Sequence, residues 1–163
     1  MIDQLQFMLD GANVKRYHTV TTLVPETVGH HSHGVALLVF MLSKEQPSSN
    51  LVFAALVHDL AEHQTGDMPS PSKRQMGISS QFTMWEENIL EDSGWMHEGL
   101  TPEEARLLKV ADIGQGALYC VEEIQRGNSK MSIVLDRYLS YAKSMNLAGN
   151  EIVFFNTIKD MLK

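Results

Sequence analysis

The stretch "NLVFAALVHDLAEHQTGDMPSP", residues 50–71, runs seven apolar residues, Leu51 to Val57, straight into His58, Asp59, Glu62 and Asp67. A helix that is apolar on every side belongs in an interior. Buried charges must be paired, hydrogen-bonded or bound to metal. The stretch therefore predicts a buried helix, from about 50 to 64, that carries ionisable groups into the core. On such a helix Glu62 follows His58 by four residues and Asp59 by three. All three can address one cavity while Leu60 and Ala61 face the core.

Working outward, helical periodicity extends through most of the chain. It predicts a helix or helix and turn over residues 2–10, a loop carrying Lys15, Arg16 and Tyr17, and a helix from about Val28 to Ser43. "EQPSSN" breaks that helix, and Ser48 or Ser49 can cap the next. "TGDMPSPSKRQMG", residues 65–77, reads as an ordered loop because of its two prolines and two glycines. Further helices are expected over Ser80–Asp92, with Phe82, Trp85 and Ile89 on one stripe, and over residues 130–145 and 150–162. The strongest helix signal opens with Thr101 as N-cap, Pro102 and Glu104 and closes at Gly127. No useful β-alternation, repeat or low-complexity tract interrupts the pattern, so the expected fold is all-α. The ten methionines and the Phe82, Trp85 pair read as core filler.

The bulk numbers fit one domain over residues 1–163, long enough to bury a core. No apolar run approaches the roughly 18 residues that a membrane helix needs, and the first residues lack a secretory layout, so a cytoplasmic protein is expected. The one cysteine, Cys120, excludes an intramolecular disulfide and a thiolate-rich zinc site. The net charge of −7, from 13 Lys+Arg against 20 Asp+Glu, and the lack of a basic block exclude polymeric nucleic acid as the natural partner. A small anion is still compatible, since a few focused cations or a metal outweigh the global sign.

Two further groups complete a possible metal shell. "GHHSHGVALLVF", residues 29–40, opens an apolar helix with three histidines. "LLKVADIGQGALY", residues 107–119, sets Asp112 among apolar neighbours, where Lys109 alone need not reach it. Two histidines and two carboxylates on three buried helices make a mixed nitrogen and oxygen site for Zn²⁺, Mn²⁺, Co²⁺, Ni²⁺ or Fe²⁺.

The order His, His-Asp, Asp resembles the HD-domain metal-dependent phosphohydrolases. Locally the match is closer to one branch. Arg16-Tyr17, "ETVGHHSHGVA" (26–36), "HDLAEHQTGDMPSPSK" (58–73) and "KVAD" (109–112) are similar to the 5'-deoxynucleotidase type. The resemblance implies a compact HD-domain helical bundle with one divalent transition metal, Zn, Mn or Co, on His31, His58, Asp59 and Asp112. It implies Glu62 as general acid/base beside the reactive water, with Asp59 part of the catalytic pair. Arg16 and Lys73 would hold phosphate, and Tyr17 and Asp67 would lie at the substrate sugar. Residue chemistry supports the division: a metal activates water and polarises phosphoryl oxygen, a buried carboxylate relays a proton, and Arg offers planar bidentate contacts.

Two departures from that pattern stand out. Tyr17 takes the place where the monophosphatases carry Trp beside the sugar, and His30 takes the place of a Glu before the first ligand. His30 and His33 read as outer or surface groups, and His63 and His97 as structural or solvent-facing. Asp67 has a plainer reading as a cap of its own turn. The leading expectation is hydrolysis of dATP to deoxyadenosine and triphosphate, as in the phage dATP triphosphohydrolases that resemble this branch, with the cytoplasm being a host's if the protein is viral. The alternatives are a 5'-deoxynucleotidase acting on dNMPs and a non-catalytic nucleotide-binding regulator. A homo-oligomer is expected from the same resemblance.

Overall fold

The computed structural model describes residues 1–44 and 46–163, and among these it is helical with a single isolated β-bridge, Lys15 to Thr27. In chain order the α-helices are α1 (Ile2–Ala12), α2 (Val28–Leu42), α3 (Ser49–Val57), α4 (Glu62–Thr65), α5 (Ser70–Gln75), α6 (Ser79–Ser93), α7 (Pro102–Gln125), α8 (Ser132–Ser144) and α9 (Gly149–Asp160). A 3₁₀ turn, Ser129–Met131, leads into α8. None of the described helices is long and apolar enough to cross a membrane. The all-α expectation holds.

The helix ends follow local chemistry. Thr27 and Ser48 cap α2 and α3 by accepting from the backbone N–H of His30 and Leu51. Thr101 and Glu104 form a reciprocal capping box at α7, and Ser48 donates to Glu104 at 2.6 Å, so the first turns of α3 and α7 are tied together. Thr101→Ala removes the side-chain acceptor for Glu104 N–H. The expected cost is about 1 kcal/mol, which lowers the melting temperature by roughly 2–4 °C for a chain of this size. A thermal melt checks it, and an unchanged midpoint would show that Ser48 and Glu104 hold the turn without Thr101.

One apolar cluster joins α2, α3, α7, α8 and α9 through residues such as Val35, Val39, Leu51, Val110, Cys120, Met131 and Phe155. A smaller one joins α1, α2, α6 and the end of α3 through Phe7, Val28, Val57, Leu60, Ile89 and Leu90. Central α7 packs closely because of its small residues: a Cβ on Gly116 would lie 2.5 Å from the Tyr138 ring of α8.

Four expectations need correction. The helix from 50 to 64 is not continuous: α3 ends at Val57, residues 58–61 form a turn, and α4 starts at Glu62. Tighter i to i+3 bonds, Leu60 N–H to Val57 O and Glu62 N–H to Asp59 O, replace the α-helical ladder there. The loop over 65–77 contains α5, which Pro71 suits by sitting in its first turn. Trp85 is 48% exposed, so only Phe82 and Ile89 of the α6 stripe enter the core. Met131 is buried as expected of a filler, yet Met41, Met76 and Met84 are more than half exposed.

Candidate metal and active site

His31 sits one turn into α2, on the face that also buries Val28, Ser32 and Val35. Its side chain is fully buried, whereas His30 and His33 point to solvent. The packing of α2 thus selects one histidine of the three. His58 and Asp59 occupy the turn after α3, and Asp112 lies halfway along α7.

These groups converge. His31, His58 and Asp112 offer ligand atoms that all lie within 4.8 Å of one another. His31 Nε2 is 3.2 Å from Asp112 Oδ1 and 3.6 Å from Asp59 Oδ2, and His58 Nε2 is 3.4 Å from that same Asp59 oxygen. Asp59 Oδ2 also accepts from Arg16 Nη1 at 2.7 Å. The Nε2 atoms of both histidines are buried and have no hydrogen-bond partner. His58 Nδ1 lies 2.9 Å from the Ala55 carbonyl, an acceptor only, so Nδ1 carries the proton and Nε2 is bare. Two unpartnered imidazole nitrogens facing two carboxylates form a donor set that fits a divalent first-row cation.

The charges of the two carboxylates are balanced by cationic neighbours. Burial alone would raise the Asp112 carboxyl, but the Lys109 ammonium holds it well below its ordinary value. Lys109 does reach Asp112, donating at 2.7 Å, which corrects the expectation that it need not. Asp59, against the same penalty of burial, is lowered, with the Arg16 guanidinium as the permanent positive charge on its Oδ2. Burial pushes His58 down toward the neutral imidazole.

Glu62 opens α4 with its carboxyl buried and its Oε2 unpartnered. Burial, followed by the charges of Asp59 and Asp67, pushes that carboxyl up to about 10. It can therefore hold a proton at neutral pH beside the ligand cluster, and a cation placed among the carboxylates would draw the value down again.

Arg16 is pinned by two acids, with Nε donating to Glu26 at 3.2 Å and Nη1 to Asp59. Its five N–H groups leave three for another anion. Tyr17 has φ 57°, a left-handed conformation that costs a non-glycine residue of the order of 1–2 kcal/mol. Its N–H donates to Asp67 at 3.0 Å, so Asp67 holds this bend across the fold rather than capping its own turn. The Tyr17 ring stacks on Tyr119 at 4.7 Å, and its hydroxyl is 2.9 Å from that of Tyr138. Lys73 is held by other partners. It donates to Glu86 at 3.2 Å and lies 3.9 Å over the Phe82 ring.

The loop that carries Arg16 and Tyr17 is strapped to α7. Glu123, with no exposed surface, accepts from Leu23 N–H, Val24 N–H and Asn128 Nδ2, while Tyr119 donates to Val24 O and Asn128 to Thr21 O. Asp112, Gln115, Tyr119 and Glu123 thus form one polar stripe on α7. That spacing of three and four inside an otherwise buried helix was the signal that could have revealed it. His63 is half-buried edge-on to Phe7, and His97 bonds the Glu98 carbonyl, consistent with structural roles. A surface cavity of about 570 Å³ beside Phe7, Gln64 and Ile89 includes none of the clustered residues.

The model of the YfbR-like 5'-deoxynucleotidase family matches residues 5–94, a span that holds His31, His58, Asp59 and Glu62 but ends before Asp112. The dATP triphosphohydrolase of cyanophage S-2L is 28% identical over 116 residues, 68% of this chain. The chain thereby spans 66% of that relative's length, just under two thirds. Among solved structures, the cyanophage S-2L HD phosphohydrolase DatZ, bound to dA and one catalytic Zn²⁺ ion, superposes with a TM-score of 0.68 at 22% identity, covering 95% of this chain and 96% of that one. The PH0347 protein of Pyrococcus horikoshii OT3 superposes with a TM-score of 0.76 at 20% identity, covering 99% of both chains. At those identities the two structures establish a shared fold, the HD-type helical bundle. With more than half of its length matched by the family model, this chain belongs to the YfbR-like 5'-deoxynucleotidase family.

Proposed function

We propose that the protein hydrolyses the 5'-phosphate ester of 2'-deoxynucleotides, with dATP as the leading substrate and deoxyadenosine and triphosphate as products. The observation that carries this reading is the pair of buried, unpartnered Nε2 atoms of His31 and His58 facing Asp59 and Asp112, with the proton-holding Glu62 at their edge. The choice of dATP is supported by the cyanophage relative named for that activity and by the dA found in DatZ.

His31, His58, Asp59 and Asp112 would hold one divalent cation, Zn²⁺ by analogy with DatZ, or Mn²⁺ or Co²⁺. Such a cation lowers the pKa of a water and polarises a phosphoryl oxygen. Glu62 takes a proton from the water that attacks the α-phosphorus and returns one to the 5'-oxygen of the departing nucleoside. Asp59 keeps Arg16 in place, and the three free N–H groups of that guanidinium meet the phosphate. Lys73 contributes charge to the outer phosphates after exchanging Glu86 for substrate. Tyr17 and the second oxygen of Asp67 face the sugar.

The second reading, cleavage of dNMPs to nucleoside and phosphate, is favoured by the description of the matching family. A binding regulator has no use for a proton-holding Glu62. We take residues 1–163 to act as one domain, assembled as a homo-oligomer and working on a soluble nucleotide pool in the cytoplasm. An excess of seven negative charges suits a small substrate held by local cations better than polymeric nucleic acid.

Four dNTPs, four dNMPs and ATP, each incubated with Zn²⁺-, Mn²⁺- or Co²⁺-loaded protein and resolved by chromatography, test the reading. Deoxyadenosine with triphosphate from dATP is expected. Nucleoside and phosphate from dNMPs alone would transfer the assignment to the second reading.

A further inference from the structure

The two histidines of the cluster present Nε2 for different reasons. His58 is set by the backbone, because the Ala55 carbonyl can only accept. His31 is set by side chains. Its Nδ1 faces Oε1 of Gln115, and Gln115 Nε2 donates to Glu26 Oε1 at 2.7 Å. Glu26 is 4% exposed, and its other oxygen accepts from Arg16 Nε at 3.2 Å.

An amide side chain can be placed either way round, and its neighbours decide which. A carboxylate beside Arg16 is an acceptor, so the amide nitrogen of Gln115 must face Glu26 and its oxygen must face His31. That oxygen requires a proton on His31 Nδ1. His31 Nε2 is then bare toward Asp112 and Asp59, as a metal ligand must be. The chain of contacts closes on itself: Arg16 to Glu26, Glu26 to Gln115, Gln115 to His31, His31 to Asp59, and Asp59 back to Arg16.

We propose that Glu26 and Gln115 are positioning residues that select the Nδ1–H tautomer of His31 and thereby prepare it to bind the cation. Neither residue offers an atom to the ligand cluster itself; both act through His31. Arg16, which grips Asp59 with the same guanidinium, joins the anion-binding side of the site to this selection. The inference rests on the proposed metal site and adds to it the means by which one ligand is set.

The relay has a sharp consequence. In Glu26→Gln the new amide keeps its oxygen toward Arg16, because the opposite arrangement would set N–H against a cation. Its nitrogen then faces the nitrogen of Gln115, and Gln115 turns over to accept from it. The amide nitrogen of Gln115 now donates to His31 Nδ1, and the proton moves to His31 Nε2, the atom that the cation needs. A substitution that changes almost no volume, two residues removed from the cluster along the relay, inverts the tautomer.

The test is ¹⁵N NMR of the imidazole rings in the metal-free full-length chain at about pH 8, above the ordinary imidazole range, together with Zn²⁺ affinity from chelator competition. The wild type is expected to show a protonated Nδ1 and a bare Nε2 at His31, and Glu26→Gln the reverse, with Zn²⁺ held roughly 10–100-fold more weakly. His58 serves as an internal control, with Nδ1–H in both. Should Glu26→Gln not fold, Gln115→Met is expected to show the same weakening. A wild-type His31 protonated at Nε2 would overturn the proposal, as would a folded Glu26→Gln or Gln115→Met chain with wild-type Zn²⁺ affinity. A wild type that takes up no metal would overturn the metal site instead, and the ring-nitrogen spectra would still decide the tautomer.

Discussion

His58→Ala is expected to abolish metal retention and to lower kcat/KM by at least about 10⁴-fold, the scale on which enzymes lose activity when one member of an interdependent set is removed. The side chain closes one wall of the ligand cluster, 3.4 Å from Asp59 Oδ2, and its Nε2 has no other partner. With the imidazole gone, Asp59 keeps its contact with Arg16, so the local turn survives while the cation loses a nitrogen ligand. Metal content after dialysis, measured with turnover and circular dichroism, separates loss of the site from loss of the fold. A folded variant that retains stoichiometric metal would remove His58 from the ligand set.

Glu62→Gln is expected to lower kcat by about 10² to 10⁴-fold, the usual contribution of a general acid/base, with metal still bound. An isosteric amide fills the same space but cannot carry a proton to the leaving oxygen. The same variant has a signature in the metal-free chain. A carboxyl raised from 4.5 to about 10 stabilises the fold below its unfolded value and loses that contribution as pH rises toward the folded value. Melting temperature of the metal-free wild type should therefore decline between about pH 5 and pH 9, and the decline should be shallower in Glu62→Gln. Parallel curves would show that Glu62 ionises in the fold as it does in the unfolded chain. Full turnover by the variant would assign proton transfer to another group.

Much of this site could be read before any coordinates. The apolar run into His58 and Asp59 announces a buried charge cluster, and the strong cap at Thr101 announces the long helix that delivers Asp112. Helical period alone could not choose among His30, His31 and His33, because which face of α2 is buried depends on packing against α3 and α7. The break of the helix at His58 was also hidden. It arises from i to i+3 bonds within a sequence whose helix propensity is unremarkable. Glu26, Lys109, Gln115, Glu123 and Tyr138 were missed for a related reason. Each earns its place through partners distant in the chain, as Glu26 does through Gln115, 89 residues away. Lys73 and Asp67 show the reverse. Their motif pointed to substrate, while the fold gives each a structural partner, Glu86 and the Tyr17 N–H.

We propose that one cation, held by His31, His58, Asp59 and Asp112, enables this chain to release deoxyadenosine from dATP. The most direct test is titration of chelator-treated protein with Zn²⁺ in the presence of dATP, following nucleoside release against metal added. No release from the metal-free chain is expected, and a rise that breaks at one equivalent per chain. Release indifferent to chelation, or none at full metal occupancy across the deoxynucleotides, would contradict the proposal.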